Sequence, residues 1–173
     1  MIGAETQKKV TLEEFAQLSD VCVELIHGRI VRKPTPNYEH QKTVGSILGE
    51  LVLELRKNHK GEAILSPIDV FIAGHVLQPD LLFIATERLG IIGEEKIKGS
   101  PDVIFEVTEY ATNFNDTKVK FDIYEQFGVK EYFIVYPDDK TVVKYVLTDG
   151  KFHEQYREID FVKSEAMNCE VNF

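Results

Sequence analysis

Acidic residues interrupt several apolar runs of this chain, and the most informative of them is Glu106. It lies within Val103-Ile104-Phe105-Glu106-Val107, where apolar residues on both sides predict a strand that is covered on both faces. An unpaired, ionised carboxylate in such a position costs on the order of several kcal/mol. Glu106 is therefore expected to have a cation, a metal ion or a proton as its partner.

A lysine one helix further along the chain could be that partner. Residues 115–127 predict a helix, and its apolar residues form one broad stripe on the helical wheel. Lys120 lies near the middle of the stripe, whereas Lys118, Asp122 and Glu125 lie on the opposite side. The wheel predicts that Lys120 points inward, although an inward lysine can also extend its stem and bring its amine to solvent.

Two further acids have apolar neighbours. Asp80 stands just before the apolar run Leu81-Leu82-Phe83-Ile84, and Glu24 lies within Val23-Glu24-Leu25-Ile26. Taken alone, Glu24 is also explained as an edge residue or as a hydrogen-bond acceptor that the fold satisfies. Together with Glu106 and Lys120, however, these acids predict one shared site.

The chemistry that such a site predicts is phosphodiester hydrolysis. Asp80 and Glu106 are the kind of pair that Mg²⁺ binds, because this hard cation takes oxygen ligands and commonly one or two carboxylates. An adjacent lysine could polarise the attacking water or neutralise the charge that develops on a phosphate.

Composition limits the class of protein. The chain has 173 residues, which suits one domain over residues 1–173 with a sizeable core. A net charge of -9 argues against a protein that coats nucleic acid non-specifically, although a local basic patch remains compatible with this charge.

The two cysteines, Cys22 and Cys169, have neither the spacing of a metal site nor that of a disulfide framework. Because no signal segment or membrane span is evident, we expect a cytoplasmic protein that has reduced thiols and does not bind membranes.

The predicted elements alternate between helices and strands. In chain order they are a short helix over 12–18, a hairpin over 21–31 with its turn at His27-Gly28, a long helix from about 40 to 58, strands over 63–73 and 76–85, a surface excursion over 86–100, a strand over 103–107, a helix over 115–127, strands over 131–136, 141–147 and 151–157, and one further strand in the tail that ends at 173. This order implies an α/β (mixed α+β) domain in which helices pack on a mixed sheet.

The order and spacing of several blocks resemble the Uma-two family of putative restriction endonucleases, within the PD-(D/E)XK nuclease superfamily. The resemblance extends from about Thr11 to Phe152. The blocks are Glu24-Leu25-Ile26-x-Gly28 followed by Pro36 and His40, then Pro79-Asp80, then Pro101-Asp102-Val103-Ile104-Phe105-Glu106-Val107, and then Asp116-x-x-x-Lys120-x-x-x-Tyr124-x-x-x-Gly128-Val129-x-Glu131-Tyr132.

The resemblance implies a restriction-endonuclease-like fold, with a central mixed sheet flanked by helices, and DNA cleavage that depends on Mg²⁺ (or Mn²⁺). It makes Asp80 the aspartate of the Pro-Asp motif, Glu106 the second acid and Glu24 an auxiliary metal-binding acid. The lysine of the usual E-x-K triplet would stand at 108, which is Thr108 here. The Uma-two pattern supplies that lysine from the following helix, where Lys120 stands.

Contacts with the substrate are predicted for His40 and for the basic residues around the loop next to it. These are Arg29, Arg32, Lys33 and Lys42, and an ordinary solvated basic loop explains them equally well. For His40 the alternative is a capping role at the start of the long helix.

Two further expectations concern activity and assembly. Fold analogy predicts a homodimer, because cleavage of both strands of a duplex needs two sites. Thr108, Glu109 and the acidic net charge also fit a catalytically degenerate module of the same fold that serves in binding or assembly. Asp102 also follows a proline and could be mistaken for the aspartate of the Pro-Asp motif. It lies too near Glu106 in sequence to come from a separate strand, so Asp80 is preferred as the motif aspartate.

Overall fold

The computed structural model describes residues 9–18, 22–108 and 114–173, with the backbone alone described for 114–117. Its helices are α1 (Leu12–Phe15), α2 (Tyr38–Asn58), α3 (Phe114–Gln126) and a short 3-10 helix (Thr86–Ile91). Its strands are β1 (Val23–Ile26), β2 (Arg29–Arg32), β3 (Gly61–Leu65), β4 (Asp69–Ile72), β5 (His75–Leu77), β6 (Leu81–Ala85), β7 (Lys96–Lys98), β8 (Val103–Val107), β9 (Glu131–Tyr136), β10 (Thr141–Thr148), β11 (Lys151–Ile159), β12 (Phe161–Ser164) and β13 (Cys169–Asn172). None of the described helices is both long and apolar enough to cross a membrane.

The central element is a mixed sheet with the strand order β11-β10-β9-β8-β6-β3. The neighbours β8 and β9 run parallel, with α3 between them in sequence, while β6 pairs antiparallel with β8. This places β8, the strand of Glu106, in the interior of the sheet, where both of its faces are covered. Its burial confirms the strand that the apolar run predicted.

One face of this sheet packs against α2 and the C-terminal hairpin. The apolar side of α2 contributes Val44, Ile47 and Leu51, which lie in one core with residues of β8 such as Phe105 and Val107. Strands β12 and β13 pair antiparallel and add Val162, Val171 and Cys169 to the same core.

The other face packs against α3 and a second sheet with the order β2-β1-β5-β4-β7. Ile123 and Tyr124 of α3 share a core with Ile104 of β8 and with Val70 and Ile97 of the second sheet. Burial of apolar surface between these layers is the main stabilising contribution to folding. The mixed α+β arrangement is the fold class that the sequence predicted.

Two of the predicted strands were wrong, because each is divided into two strands in the structure. The single strand expected over 63–73 is two strands, β3 and β4, separated by Pro67 and placed in different sheets. The strand expected over 76–85 is likewise divided into β5 and β6 around Pro79. Proline has no backbone N–H to give to a ladder, so each proline ends the pairing and lets the chain change sheets.

Other elements begin or end near their predicted positions. The hairpin turn at His27-Gly28 is confirmed, and φ is positive at both residues, 52° and 76°, as in a two-residue hairpin turn. Helix α2 begins at Tyr38 because the side chain of Asn37 accepts a hydrogen bond from the backbone N–H of His40 at 2.9 Å. Strand β7 lies in the segment predicted as a surface excursion, and its Ile97 is buried.

Candidate active site

A pocket of about 580 Å³ contains the residues that the sequence singled out. Side chains from both sheets, from α2 and from α3 line it. Among them are Glu24, Asp80, Glu106, Lys120, His40, Arg32 and Lys33, together with Thr108 and Tyr132. Residues that are far apart in sequence therefore meet in one place.

The register of the strands explains why Glu106 faces this pocket. Successive side chains of a strand point to opposite faces, so Glu106 lies on the same face as Ile104. Ile104 shares its core with Tyr124 of α3. Glu106 is consequently directed toward α3 and the second sheet, away from α2.

Lys120 is the buried cation of the site, and its predicted inward position is confirmed. Its residue is 7% exposed. Its Nζ lies 3.0 Å from Oε1 of Glu106 and 2.9 Å from Oε1 of Glu24. The hydroxyl of Tyr124, one turn later on α3, donates a second hydrogen bond to Oε1 of Glu106 at 2.8 Å. One amine therefore joins two acids from different sheets.

The proton affinities in this group follow from burial and charge. Burial alone lowers the pKa of Lys120, but the carboxylates of Glu106 and Glu24 raise it above its ordinary value. Burial raises the pKa of Glu106; Lys120 opposes this shift, and the negative charges of Asp80 and Glu24 add to it. The two carboxylates therefore favour the cationic form of Lys120.

Asp80 occupies the link between β5 and β6, which belong to different sheets. Its Oδ1 accepts a hydrogen bond from Lys33 at 3.0 Å. Its Oδ2 lies 3.1 Å from Nε2 of His40 and accepts from the backbone N–H of Val107 at 2.9 Å. Burial raises the pKa of Asp80, but the hydrogen bond from His40 and the charge of Lys33 outweigh it and hold the pKa below its ordinary value.

Gln78 and Tyr124 belong to the site although the sequence analysis did not assign them to it. The backbone N–H of Gln78 donates to Oε1 of Glu24 at 2.8 Å, and its carbonyl oxygen accepts from Lys33 at 2.6 Å. Tyr124 stands in one block of the family resemblance, four residues or about one helical turn after the inward Lys120, and that spacing was the available signal. Gln78 gave no comparable signal because its backbone makes both of these contacts.

The predicted basic residues divide into two groups. Arg32, Lys33 and His40 line the pocket, and the ring of His40 contacts Asp80 while Asn37 caps the helix. Arg29 and Lys42 are not among the described residues that line it. Both are exposed, so their contact with a substrate stays a prediction.

Asp102 has a structural role, consistent with the preference for Asp80. It accepts a hydrogen bond from the backbone N–H of Ala85 at 2.9 Å and forms ion pairs with Arg88 and Lys130 at 3.0 and 2.8 Å. Burial raises the pKa of Asp102, but these partners together lower it. Glu109, which adjoins the site in sequence, lies outside the described residues.

The acids of the pocket offer donor atoms that suit a hard divalent cation. Within the described residues, both hydrogen bonds to Glu106 reach Oε1, which leaves Oε2 for another ligand. In the same part of the chain, no group of three or more His, Cys, Asp and Glu side chains could hold a metal ion. Mg²⁺ commonly uses one or two carboxylates plus water, and a carboxylate oxygen such as Oε2 of Glu106 is the kind of donor that it takes.

Comparison with known proteins gives the family. The sequence model of the Uma2 family, described as putative restriction endonuclease, matches residues 12–170. The chain belongs to the Uma2 family. The predicted resemblance is thus confirmed, and nuclease chemistry is supported at the level of the family. No curated protein matches the chain.

The fold is also that of a solved structure of a putative nuclease. The chain is similar to a putative nuclease belonging to DUF820 from Anabaena variabilis ATCC 29413, with 19% sequence identity and a TM-score of 0.76. The match covers 92% of this chain and 91% of that chain. The likeness confirms the restriction-endonuclease-like fold.

Proposed function

We propose that the protein is a metal-dependent nuclease that hydrolyses phosphodiester bonds of DNA. The observation that carries this proposal is the buried Lys120, which binds both Glu106 and Glu24 in the pocket that also contains Asp80. A cation and several acids in one accessible pocket fit the stabilisation of charge on a phosphate. Membership of a family described as putative restriction endonuclease points to the same chemistry.

In this proposal Asp80 and Glu106 hold Mg²⁺ (or Mn²⁺), and Glu24 assists as an auxiliary acid. Such an ion, when bound, lowers the pKa of a coordinated water and stabilises negative charge on the phosphate oxygens. The charge of Lys120 favours the ionised form of Glu106, because it opposes the effect of burial on the pKa of that carboxyl group. The hydroxyl of Tyr124 fixes the orientation of the same carboxylate.

The DNA contacts are assigned to His40, Arg32 and Lys33, which line the pocket. Arg29 and Lys42 extend this basic surface in the proposal. Because the net charge of the chain is -9, binding to DNA rests on this local surface and weakens as salt is added.

The proposed context is a cytoplasmic homodimer in which residues 1–173 form one domain. Light scattering tests the dimer, and a monomer at every concentration would contradict it.

A plasmid-nicking assay tests the catalytic assignment. Asp80→Asn and Glu106→Gln are expected to lower metal-dependent nicking at least about 100-fold, since each removes a proposed metal ligand. The matched control is Asp160→Asn, a partly exposed aspartate with φ of 59° that asparagine tolerates. If Asp80→Asn nicks plasmid DNA as fast as the Asp160→Asn control does, the catalytic assignment is contradicted.

A binding or assembly module of the same fold is the second candidate. The observation in its favour is that Lys33 and His40 already contact both carboxylate oxygens of Asp80. Calorimetric titration with Mn²⁺ separates the candidates. The nuclease requires binding that Asp80→Asn abolishes, whereas the module requires no metal site.

A further inference from the structure

Buried polar atoms without a hydrogen-bond partner are concentrated at the pocket. Across residues 9–18, 22–108 and 118–173, the atoms of this kind are His40 Nδ1, Asp102 Oδ1, Thr108 Oγ1 and Tyr132 OH. Asp102 Oδ1 has two ion-pair partners, at 3.0 and 2.8 Å. The residues of the other three atoms all line the pocket of Asp80 and Glu106. The pocket therefore contains polar groups that the described protein leaves for a ligand.

Tyr132 is the most constrained of the three. It is fully buried, and it lies on β9 opposite Ile104 of β8, on the face of the sheet that carries Glu106. Its ring packs against the rings of Tyr124 and Phe152, with centroids 5.2 and 5.9 Å away. These ring contacts hold the tyrosine, so its hydroxyl has a defined position beside the pocket.

The chemistry of the hydroxyl indicates the kind of ligand. Burial raises the pKa of Tyr132 well above its ordinary value, and the charges of Glu106 and Asp80 raise it further. The group is therefore a neutral phenol that donates one hydrogen bond. A phosphodiester oxygen is an anionic acceptor without a proton of its own, and the neighbouring Lys120 and Lys33 supply positive charge for it.

We propose that the Tyr132 hydroxyl binds substrate by donating a hydrogen bond to a non-bridging phosphate oxygen in this pocket. The proposal rests on the proposed nuclease function, to which it adds a substrate-binding residue. It also accounts for the buried hydroxyl, since a donor without a partner inside a protein is costly and a phosphate oxygen would satisfy it.

The test compares Tyr132→Phe with Tyr145→Phe. Tyr145 is the cross-strand neighbour of Tyr132 on β10, but its hydroxyl lies 3.5 Å from the exposed Glu154. Titrations of wild type with inorganic phosphate, and separately with a labelled duplex oligonucleotide in metal-free buffer, follow the assigned ring resonances of Tyr132 by NMR. We expect Tyr132 to shift with both probes, and Tyr132→Phe to bind the oligonucleotide about tenfold more weakly or worse. Tyr145→Phe should bind like wild type.

Thermal unfolding separates a binding role from a structural one. Tyr132→Phe should have a Tm equal to or above that of wild type, because it removes a hydroxyl that has no partner in the described protein. A lower Tm together with unchanged oligonucleotide affinity would overturn the proposal, as would a Tyr132 resonance that stays in place at saturating phosphate. If plasmid nicking is absent while phosphate still shifts Tyr132, the nuclease function fails and the contact stands. If nicking is present and equal in Tyr132→Phe, the contact alone fails.

Discussion

Replacement of Lys120 by methionine tests whether this lysine compensates the buried acids. Methionine keeps much of the unbranched stem but removes the amine that binds Glu106 and Glu24 at 3.0 and 2.9 Å. Both carboxylates would remain buried, at 7% and 2% exposure, without their shared cation. The variant should therefore be strongly destabilised.

The magnitude follows from the cost of an uncompensated buried charge. Removing one partner of a buried ion pair costs about 3–5 kcal/mol. For a domain of this size each kcal/mol corresponds to about 2–4 °C in Tm, so a loss of roughly 6 to 20 °C is expected. Urea unfolding followed by circular dichroism measures the free energy directly. The matched control is Lys57→Met on α2, whose ion pair with Glu54 is exposed and should change stability by less than about 1 kcal/mol.

The stability lost in Lys120→Met should also depend on pH, and the direction of this dependence follows from the pKa of Glu106. Without Lys120, the pKa of Glu106 rises further above its already raised value, so the folded variant takes up a proton that the unfolded chain does not hold. Unfolding then releases a proton, so the stability of the variant falls as pH rises from the ordinary pKa of a glutamate to the raised pKa of Glu106. The deficit of Lys120→Met relative to wild type should be largest near pH 8 and shrink toward pH 5. A deficit as small as that of Lys57→Met, or one that is constant with pH, would refute the reasoning.

Three further variants probe separate contacts. In Asp80→Asn, the stability deficit should be present at pH 7 and begin to shrink as pH falls below the ordinary carboxyl range, because the pKa of Asp80 is lowered in the folded protein. Urea unfolding from pH 7 to 3 checks this, and a deficit that is constant with pH would contradict it. Lys144→Met should lower the free energy of unfolding by about 3–5 kcal/mol, because this fully buried lysine pairs with Glu131 at 3.3 Å. A Tm like that of wild type would show that Lys144 does not compensate the buried charge of Glu131. Tyr124→Phe should cost about 1–3 kcal/mol in urea unfolding by removing the hydrogen bond to Glu106, and an unchanged midpoint would show that this bond is not stabilising.

Residue types and spacing determined the central part of the site. An acid inside an apolar strand predicts a buried Glu106, because neither face of such a strand is polar enough for water. The 3.6-residue period of α3 placed Lys120 on its apolar side, and the structure puts it there. Local periodicity carried this information because burial in one element depends on the residues of that element.

Only the tertiary structure decided which groups meet. The link that holds Gln78 and Asp80 joins strands of two different sheets, and this change of sheet brings Lys33 and His40 to Asp80. Backbone groups, such as the N–H of Val107, complete the site and have no signature in the residue type. These contacts depend on strand pairing between distant segments. Pairing is set by the packing of the whole core and not by any local run of residues.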